Sequence, residues 1–335
     1  MKSKAIRLAM LVLLLGSTAM VAAQTSVVFD VPNAAANVPN GAGLIVTGIN
    51  ARGDVAGYFY DSSLNFKQRG FFRRRDGGVS LIDVPNASAT SVRGINAGGD
   101  VAGYFHEGAR DRGFIRDTQG RIVVFDASSF NVTDVESISD SGDVAGMTFD
   151  SSNPIRGFVR DQNGAITVFD APNAAATYVT GVNSRGEVIG YFSDTTRAYS
   201  LVGYARNVRG QFNLFDDALA FAINAAGAIT GSLTGSSPDS GFIAEVNGRI
   251  VFYDGFDASG RSVNARGDVV GYLFDQNQNK VRGFVRHMNG DLEIFDAPNA
   301  SDTRAECINA RGDIAGYFFD SSQANKARAF VRLAR

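Results

Sequence analysis

The sequence is poor in the residues that most often build metal and redox sites. Its 335 residues include a single Cys, two His and no Trp. One Cys cannot form an internal disulfide, and so few Cys and His exclude a Cys/His zinc site or a mechanism that needs several histidines. We therefore expect no cofactor and no metal site. Cys307 aligns with small residues of the other repeats described below, which favours a packed thiol.

The chain also lacks an excess of charge of one sign. Its 32 Lys and Arg and 34 Asp and Glu leave a formal net charge of −2, which provides no general attraction to nucleic acid. Proline is scarce, at 7 residues, whereas glycine reaches 38 and hydrophobic residues 44%. This composition is typical of a folded globular protein and argues against a disordered or collagen-like chain.

Long apolar runs are absent apart from one at the N-terminus. Three basic residues within the first seven positions precede the apolar residues 8–21, and small residues follow before Gln24. A run of about fourteen residues is shorter than the roughly 20 that a membrane-spanning helix needs. The pattern predicts a secretory signal peptide, residues 1–23, in preference to a retained membrane anchor. We therefore expect a secreted or periplasmic protein, residues 24–335, with no membrane span after cleavage.

What the sequence does contain is a repeat. The string Gly-Ile-Asn-Ala-Arg-Gly-Asp-Val-Ala-Gly-Tyr-Phe, residues 48–59, recurs about every 40–46 residues, in seven copies. The Asn of this string, or a Ser in one copy, falls at Asn50, Asn96, Ser139, Asn183, Asn224, Asn264 and Asn309. This period is typical of the blades of a β-propeller.

Each repeat contains four strand-like runs, which we call runs a, b, c and d. In the second copy they cover residues 90–95, 100–105, 113–116 and 122–126. Gly99 lies in the turn between runs a and b, where a positive φ is expected. Gly103 lies inside run b and has a counterpart in every copy, which suggests close approach of a neighbouring blade. No segment has a convincing helical period.

The two ends of the repeat array complement each other. Residues 26–32 match run d with no other run before them, and the last copy has runs a, b and c but no run d. An N-terminal strand that completes the C-terminal blade would remove the exposed edges of an open array. We therefore predict a single all-β domain, residues 24–335. It is a seven-bladed β-propeller with four-stranded blades, closed by the N-terminal strand. A parallel β-helix is the alternative.

The repeated strings also resemble a known family. G-I-N-x-x-G-D-V-x-G-Y, as from Gly48, and R-G-F or R-A-F, as from Arg69, resemble the bacterial extracellular repeat proteins of the HAF family. The resemblance covers essentially the whole mature chain, although Arg mostly replaces the family's His. It implies an exported repeat protein and brings no established activity.

Several recurring polar motifs are explained by the fold. Arg begins run c and Asp ends run d 14 residues later, as in Arg69 and Asp83, which predicts an ion pair across the c–d hairpin. Arg-Gly-Asp at 52–54 could indicate cell adhesion, but only its Gly is constant among the copies, which favours a turn. Asp-Ser-Ser at 61–63 could hold Ca²⁺, but it lacks the D-x-D-x-D-G pattern, and a turn that bonds its own backbone is preferred.

The most variable position of run a lies three residues before the repeat Asn. It holds Arg93, Glu136, Arg261 and Glu306, and uncharged residues in the other copies. Because run a is the innermost strand of a propeller, we expect these four residues around the central channel. They either neutralise one another as ion pairs or form a polar binding pocket for a small ligand such as a sugar.

The connections from run d to run a point to the face that binds a ligand. They vary from 8 to 20 residues, counted from the Asp of run d to the repeat Asn, and variable loops on a rigid scaffold commonly build specificity. We expect a monomer that binds an unidentified extracellular ligand, a carbohydrate or a protein, on this face.

Two functions follow from this interpretation. The first is a non-catalytic binding or scaffolding propeller. The alternative is a secreted carbohydrate-active enzyme, a glycoside hydrolase or lyase, acting at the channel mouth. The first is preferred because nearly every polar residue singled out belongs to the repeat. Three or more acidic, Tyr or His side chains that converge outside the repeat pattern would favour the enzyme.

Overall fold

Strands dominate the fold, as predicted. The computed structural model describes residues 25–39, 41–234, 241–244, 250–253 and 257–334, so the predicted signal peptide lies outside the described residues. Helical structure in these ranges consists of short 3₁₀ turns at Ser62–Leu64, Thr195–Arg197 and Ser321–Gln323. None of these helices is long or apolar enough to cross a membrane.

The strands follow one another in the order that the repeat predicts. They are β1 Ser26–Phe29, β2 Asn37–Val38, β3 Gly41–Ala42, β4 Leu44–Ile49, β5 Val55–Asp61, β6 Lys67–Arg73, β7 Val79–Ile82, β8 Ala89–Ile95, β9 Val101–Glu107, β10 Arg110–Arg116, β11 Ile122–Phe125, β12 Val132–Ile138, β13 Val144–Asp150, β14 Asn153–Arg160, β15 Ile166–Phe169, β16 Ala174–Val182, β17 Val188–Asp194, β18 Ser200–Arg206, β19 Phe212–Phe215, β20 Ala218–Ile223, β21 Ile229–Leu233, β22 Gly241–Ala244, β23 Ile250–Tyr253, β24 Asp257–Val263, β25 Val269–Asp275, β26 Lys280–Arg286, β27 Leu292–Phe295, β28 Ala300–Ile308, β29 Ile314–Asp320 and β30 Lys326–Arg332.

From β4 onward, each repeat forms one antiparallel group of four strands in sequence order. The groups are β4–β7, β8–β11, β12–β15, β16–β19, β20–β23 and β24–β27, and the last repeat contributes β28–β30. A single parallel bridge between Asp111 and Val132 joins the second and third groups. The hydrophobic core lies between neighbouring groups. In one such layer, Ile82 and Val84 of the first group pack with Phe105 and Phe114 of the second.

Strand β1 is the fourth strand of the last group. It pairs antiparallel with β30, with Val28 opposite Phe330. Arg328 of β30 donates to both carboxylate oxygens of Asp30, at 3.1 and 2.8 Å. The predicted Arg–Asp pair of the c–d hairpin therefore forms here between the two ends of the chain, as it does within the first repeat between Arg69 and Asp83.

Strand β1 also contacts the first group. The ring of Phe29, which is 8% exposed, packs edge-on against Phe71 with 6.4 Å between centroids. The guanidinium of Arg73 lies 4.6 Å from the centroid of the same ring. Arg332 stacks in the same way on Phe295 of the preceding group, at 4.2 Å. The contact between the last and first groups therefore repeats the contact between consecutive groups.

The a–b turns connect the groups on the opposite face from the d-to-a connections. The carboxamide oxygen of Asn309 accepts from the backbone N–H groups of Arg311 and Asp313, at 3.0 and 2.9 Å. Its Nδ2 donates to the carbonyl of Asn50 in the first repeat, at 3.0 Å. The buried carboxylate of Asp313 accepts from Arg311. The Arg and Asp of Arg-Gly-Asp thus bind each other within the turn, which confirms the turn interpretation.

The glycine inside run b has a different role from the one predicted. A Cβ on Gly57 would lie 2.1 Å from the carbonyl oxygen of Ile45. That carbonyl belongs to the same sheet, so the expected approach of a neighbouring blade is wrong. The cause is a β-bulge in β4, where the pairing with β5 shifts register between Val46 and Gly48. The bulge pushes the β4 backbone towards β5 and leaves room only for a hydrogen atom.

The Asp-Ser-Ser turns use their carboxylates internally. One oxygen of Asp61 accepts from the backbone N–H and hydroxyl of Ser63, at 2.9 and 2.6 Å, and the other accepts from Arg69 at 2.8 Å. Burial alone would raise the pKa of Asp61, but these bonds hold it below the usual value. This arrangement is the predicted turn. No cluster of three or more His, Cys, Asp and Glu suited to a metal ion occurs among the described residues.

Candidate functional site

The four predicted site residues lie around one cavity because each is the extra residue of a β-bulge. In the first strand of every group, the pairing skips one residue, which has no cross-strand partner. These residues are Thr47, Arg93, Glu136, Thr180, Phe221, Arg261 and Glu306. All of them line a cavity of about 220 Å³, which we call the inner chamber. A bulge re-aims a side chain, and here its repetition directs one side chain from each group to a common centre.

An apolar collar bounds the inner chamber on one side. It consists of residues one position before the repeat Asn, namely Ile49, Ile95, Ile138, Val182, Ile223 and Ile308, which line both the chamber and a second cavity among the a–b turns. Each first strand runs from a d-to-a connection to an a–b turn, and its bulge residue precedes its collar residue. The polar ring of the chamber therefore faces the d-to-a side, where we expect the ligand.

The charged bulge residues form two ion pairs, each between consecutive groups. Arg93 donates to the carboxylate of Glu136, and Nε of Arg261 donates to Glu306 at 3.1 Å. Burial lowers the pKa of Arg93, but the charge and hydrogen bond of Glu136 outweigh it and raise the pKa above its usual value. Arg261 also lies 5.1 Å from the ring centroid of Phe221. The ring is thus self-neutralised, as one of the two predicted alternatives required.

A tyrosine layer lies next to this ring and was missed from the sequence. In run b, Phe59 faces the core while the residues on either side face the other way, since successive side chains alternate. The residue two positions before the bulge pairs with a second-strand Tyr in five groups: Ile45–Tyr58, Ser91–Tyr104, Tyr178–Tyr191, Ser259–Tyr272 and Arg304–Tyr317. The recurring Gly-Tyr-Phe string was the signal that could have found it.

The electrostatics connect the tyrosine layer with the charged ring. Burial raises the pKa of Tyr58, Arg93 lowers it, and both Glu136 and Glu306 raise it further. Charges from both ion pairs therefore act on the pKa of Tyr58. Tyr178 and Tyr191 stack with 4.9 Å between ring centroids and an interplanar angle of 20°.

Two ionisable groups at the level of the tyrosine layer have a buried polar atom with no hydrogen-bond partner among the described residues. Oδ1 of Asp134 is buried and makes no hydrogen bond. Burial, followed by the charge of Glu136, raises the pKa of this carboxyl to about 7. Nε of Arg304 is likewise buried without an acceptor, and its guanidinium lies 4.9 Å from the ring centroid of Tyr272. Both residues stand two positions before a bulge residue and depart from the repeat.

Asp134 belongs to a polar cluster between the second and third groups. Nδ1 of His106 contacts the carboxylate of Asp111, and the His106 ring lies edge-on to Tyr104, with 5.7 Å between centroids. The charge of Asp111 contributes to the raised pKa of Asp134. We call His106, Asp111 and Asp134 the acid–base cluster, and none of the three is a repeat residue.

The d-to-a connections differ in structure as well as in length. The longest contains the β2–β3 hairpin. Nδ2 of Asn37 in this hairpin donates to the carbonyl of Asn325 at 2.9 Å, and Ala35 N donates to Tyr60 O at 2.8 Å. The connection thus joins the first and last groups. Of the two shortest connections, the one from position 216 to 224 is described throughout, and the one from 254 to 264 lies partly outside the described residues, at 254–256.

Comparison with solved structures finds propeller-type proteins that are distant in sequence. Virginiamycin B lyase from Staphylococcus aureus is 14% identical, with a TM-score of 0.58 over 91% of this chain and 98% of that chain. The β-propeller domain of the Trilobed protease from Pyrococcus furiosus, described as having an open velcro topology, is 10% identical, with a TM-score of 0.64 over 86% and 95%.

A third similar structure is the acylaminoacyl peptidase of Pyrococcus horikoshii, which is 10% identical with a TM-score of 0.59 over 82% of this chain and 49% of that chain. No protein-family model and no curated protein matches the sequence. At these identities the similarity concerns the fold and not the activity. The chain has an all-β fold of the propeller type.

Proposed function

We propose that the protein is a seven-bladed β-propeller, one domain over residues 24–335, exported as a HAF-type repeat protein and monomeric. Three contacts support a ring closed by the N-terminal strand. Strand β1 pairs with β30, Phe29 packs against Phe71 of the first repeat, and Asn309 of the last repeat bonds Asn50 of the first. The predicted signal peptide supports a secreted or periplasmic location.

We infer that this propeller binds a small polar ligand, a carbohydrate in preference to a protein, in the inner chamber, without catalysing a reaction. The observation that carries this inference is the convergence of four charged bulge residues on one chamber, with the tyrosine layer next to them and an apolar collar behind them. Tyrosine presents a flat apolar face together with a polar hydroxyl, which suits the alternating faces of a sugar ring. Arg and Glu at the wall supply donors and acceptors for its hydroxyls.

Glycan binding by the mature protein, followed by calorimetry of the hits, tests this function. Arg261→Ala and Glu306→Ala should each weaken binding with the fold unchanged. Arg52→Ala and Arg311→Ala are the matched controls, because both arginines lie in a–b turns beyond the collar and should leave affinity unchanged. Loss of binding in the two controls, with binding retained in the two chamber variants, would show that the ligand binds on the face of the a–b turns and not in the inner chamber.

The acid–base cluster favours a second candidate, a carbohydrate-active hydrolase or lyase. His106, Asp111 and Asp134 lie outside the repeat pattern and close to the repeat residue Tyr104, and such a group of acidic and His side chains is the feature expected of the enzyme. A carboxyl with a pKa near 7 suits proton transfer at neutral pH. Virginiamycin B lyase, a protein of similar fold, is itself an enzyme, and a histidine-to-alanine variant of it is described as catalytically inactive.

Product formation from a panel of polysaccharides separates the two candidates. An enzyme should release reducing ends or unsaturated products, and Asp134→Asn should abolish this turnover while ligand binding persists. The control is Asp140→Asn, because Asp140 lies among the a–b turns, where its carboxylate accepts from Ala97 N. Absence of turnover by the wild-type protein on ligands that it binds would reject the enzyme and leave the binding function.

A further inference from the structure

We propose that Arg304, two positions before the chamber residue Glu306 on β28, forms an anion subsite beside the inner chamber and binds a carboxylate of the ligand. The inference rests on the proposed binding function and deepens it. It names the ligand as a carboxylate-bearing molecule, of which a uronate-containing sugar and the carboxyl end of an amino acid or peptide are the two sources.

The first observation is how the chamber's guanidinium groups are used. A guanidinium has five N–H donors in a planar fork. Arg93 is engaged by Glu136 and Arg261 by Glu306. Arg304 makes no ion pair with any described residue, and its Nε is buried without an acceptor. Of the arginines on the inner strands in the described part of the chain, it alone keeps its donors for another molecule.

The second observation is that Arg304 is held in a fixed orientation. Its guanidinium stacks 4.9 Å from the ring centroid of Tyr272 on the preceding group. On its own sheet it stands directly opposite Tyr317, and its charge acts on that phenol by lowering a pKa that burial raises. Stacking occupies the face of a guanidinium and leaves its edge free for two parallel hydrogen bonds to a carboxylate.

The third observation is the polarity of the surroundings. Near Arg304, the charges of Arg261 and Glu306 cancel, so this corner keeps one positive charge. Asp134 lies four groups away along the chain, in a corner where the charges of Arg93 and Glu136 cancel and the carboxylate of Asp111 lies nearby. The chamber thus has a cationic end and an acidic end. A ligand with a carboxylate at one end and hydroxyls or an ammonium group at the other matches both.

The experiment uses tyrosine fluorescence, which is accessible because the chain has no Trp. The mature protein is titrated with trigalacturonate and its neutral methyl ester, and with an N-acetylated dipeptide and its neutral C-terminal amide. The expected result is that at least one free carboxylate binds more tightly than its neutral counterpart. The arm in which this preference occurs identifies the source of the carboxylate.

Arg304→Gln removes the charge and keeps a side chain of related shape. This substitution should lower the affinity for the carboxylate ligand roughly tenfold to a hundredfold, as expected for a lost charge-assisted hydrogen bond. It should leave the affinity for the neutral sugar unchanged. Arg206→Gln is the matched control. Arg206 also stacks on an aromatic ring, Phe169, at 4.5 Å, and its Nε is also buried without an acceptor, but it lies on β18 away from the chamber.

The outcomes separate this proposal from the binding function. Equal affinity for charged and neutral ligands, or an unchanged preference in Arg304→Gln, overturns the anion subsite. If neutral sugars still bind and Arg261→Ala still weakens them, the proposed binding function stands without it. If none of the four compounds binds, the carboxylate subsite is rejected. Equal loss of carboxylate binding in Arg206→Gln would mean that general positive charge, and not Arg304, attracts the ligand.

Discussion

Replacing Phe29 by Ala tests whether the N-terminal strand is a full member of the fold. A strand near a chain terminus commonly frays, and its removal would then cost little. In this structure the Phe29 ring is 8% exposed, packs edge-on against Phe71 and lies under the guanidinium of Arg73. Phe→Ala at a buried site typically costs about 3–5 kcal/mol, because the side chain is lost and a cavity remains.

Phe295→Ala is a matched control within the same molecule. Phe295 is also 8% exposed, packs edge-on against Phe330 with 6.2 Å between centroids, and lies 4.2 Å from the guanidinium of Arg332. It stands in an internal strand whose place in the fold does not depend on the chain terminus. If β1 is equally held, both variants should lose about 3–5 kcal/mol of unfolding free energy and agree within about 1 kcal/mol.

Urea denaturation followed by far-UV circular dichroism provides the measurement, through the midpoint and slope for each variant. Deleting residues 24–33 should lower the midpoint further, because the deletion also exposes the edge of β30 and leaves Arg328 without Asp30. A wild-type midpoint for Phe29→Ala, with a large loss for Phe295→Ala, would refute the closure by β1.

Three further predictions concern single positions. Gly57→Ala should destabilise the protein more than Gly53→Ala, since a Cβ on Gly57 would overlap a backbone carbonyl. Gly53→Ala mainly strains a turn, at a cost of about 1–3 kcal/mol. Chemical denaturation of both variants compares the two losses of unfolding free energy. The raised pKa of Asp134 means that the folded protein holds an extra proton on this carboxyl, so the contribution of Asp134 to stability should fall as pH rises from about 4 to about 7. The melting temperature of Asp134→Asn, compared with the wild type at each pH, should lack this contribution. Asn309→Ala should cost about 1–3 kcal/mol of unfolding free energy by leaving buried groups unpaired. Asn309→Ser should cost less, because Ser139 at the same repeat position accepts a hydrogen bond from the backbone N–H of Asp143. Equal melting temperatures for the two variants would contradict this.

The strands and their order could be predicted because the repeat makes each motif visible several times. An Arg and an Asp 14 residues apart would mean little in one hairpin. Their recurrence, as at Arg69 and Asp83, indicated a cross-strand bond, which the structure contains. The convergence of Arg93 and Glu136 was predictable for the same reason. Residues at the same position of each repeat lie at the same place in their own group. The variable position of run a was therefore expected to bring one side chain from each group to the same chamber.

The bulge that builds this ring could not be predicted, since it is a register shift between two strands and leaves each strand's own sequence unremarkable. The sequence therefore led us to expect that Gly57 makes room for a neighbouring blade. The backbone that approaches Gly57 is instead the carbonyl of Ile45 in its own sheet. The unpaired state of Asp134 was equally hidden. It depends on how the neighbouring charges are paired, since Arg93 of the preceding group is taken by Glu136 and Asp111 adds a second negative charge near Asp134.

Departure from the repeat therefore identifies a functional residue only together with its pairing. Arg93, Glu136, Arg261 and Glu306 depart from the repeat, yet each finds an opposite charge one group away, and such pairs stabilise a ring as well as they bind a ligand. Asp134 and Arg304 depart from it and find no partner among the described residues. Leaving a buried polar group unpaired costs free energy, and a molecule bound beside the chamber would recover that cost by supplying the missing hydrogen bonds. We therefore expect ligand binding to depend on this second set more strongly than on the first.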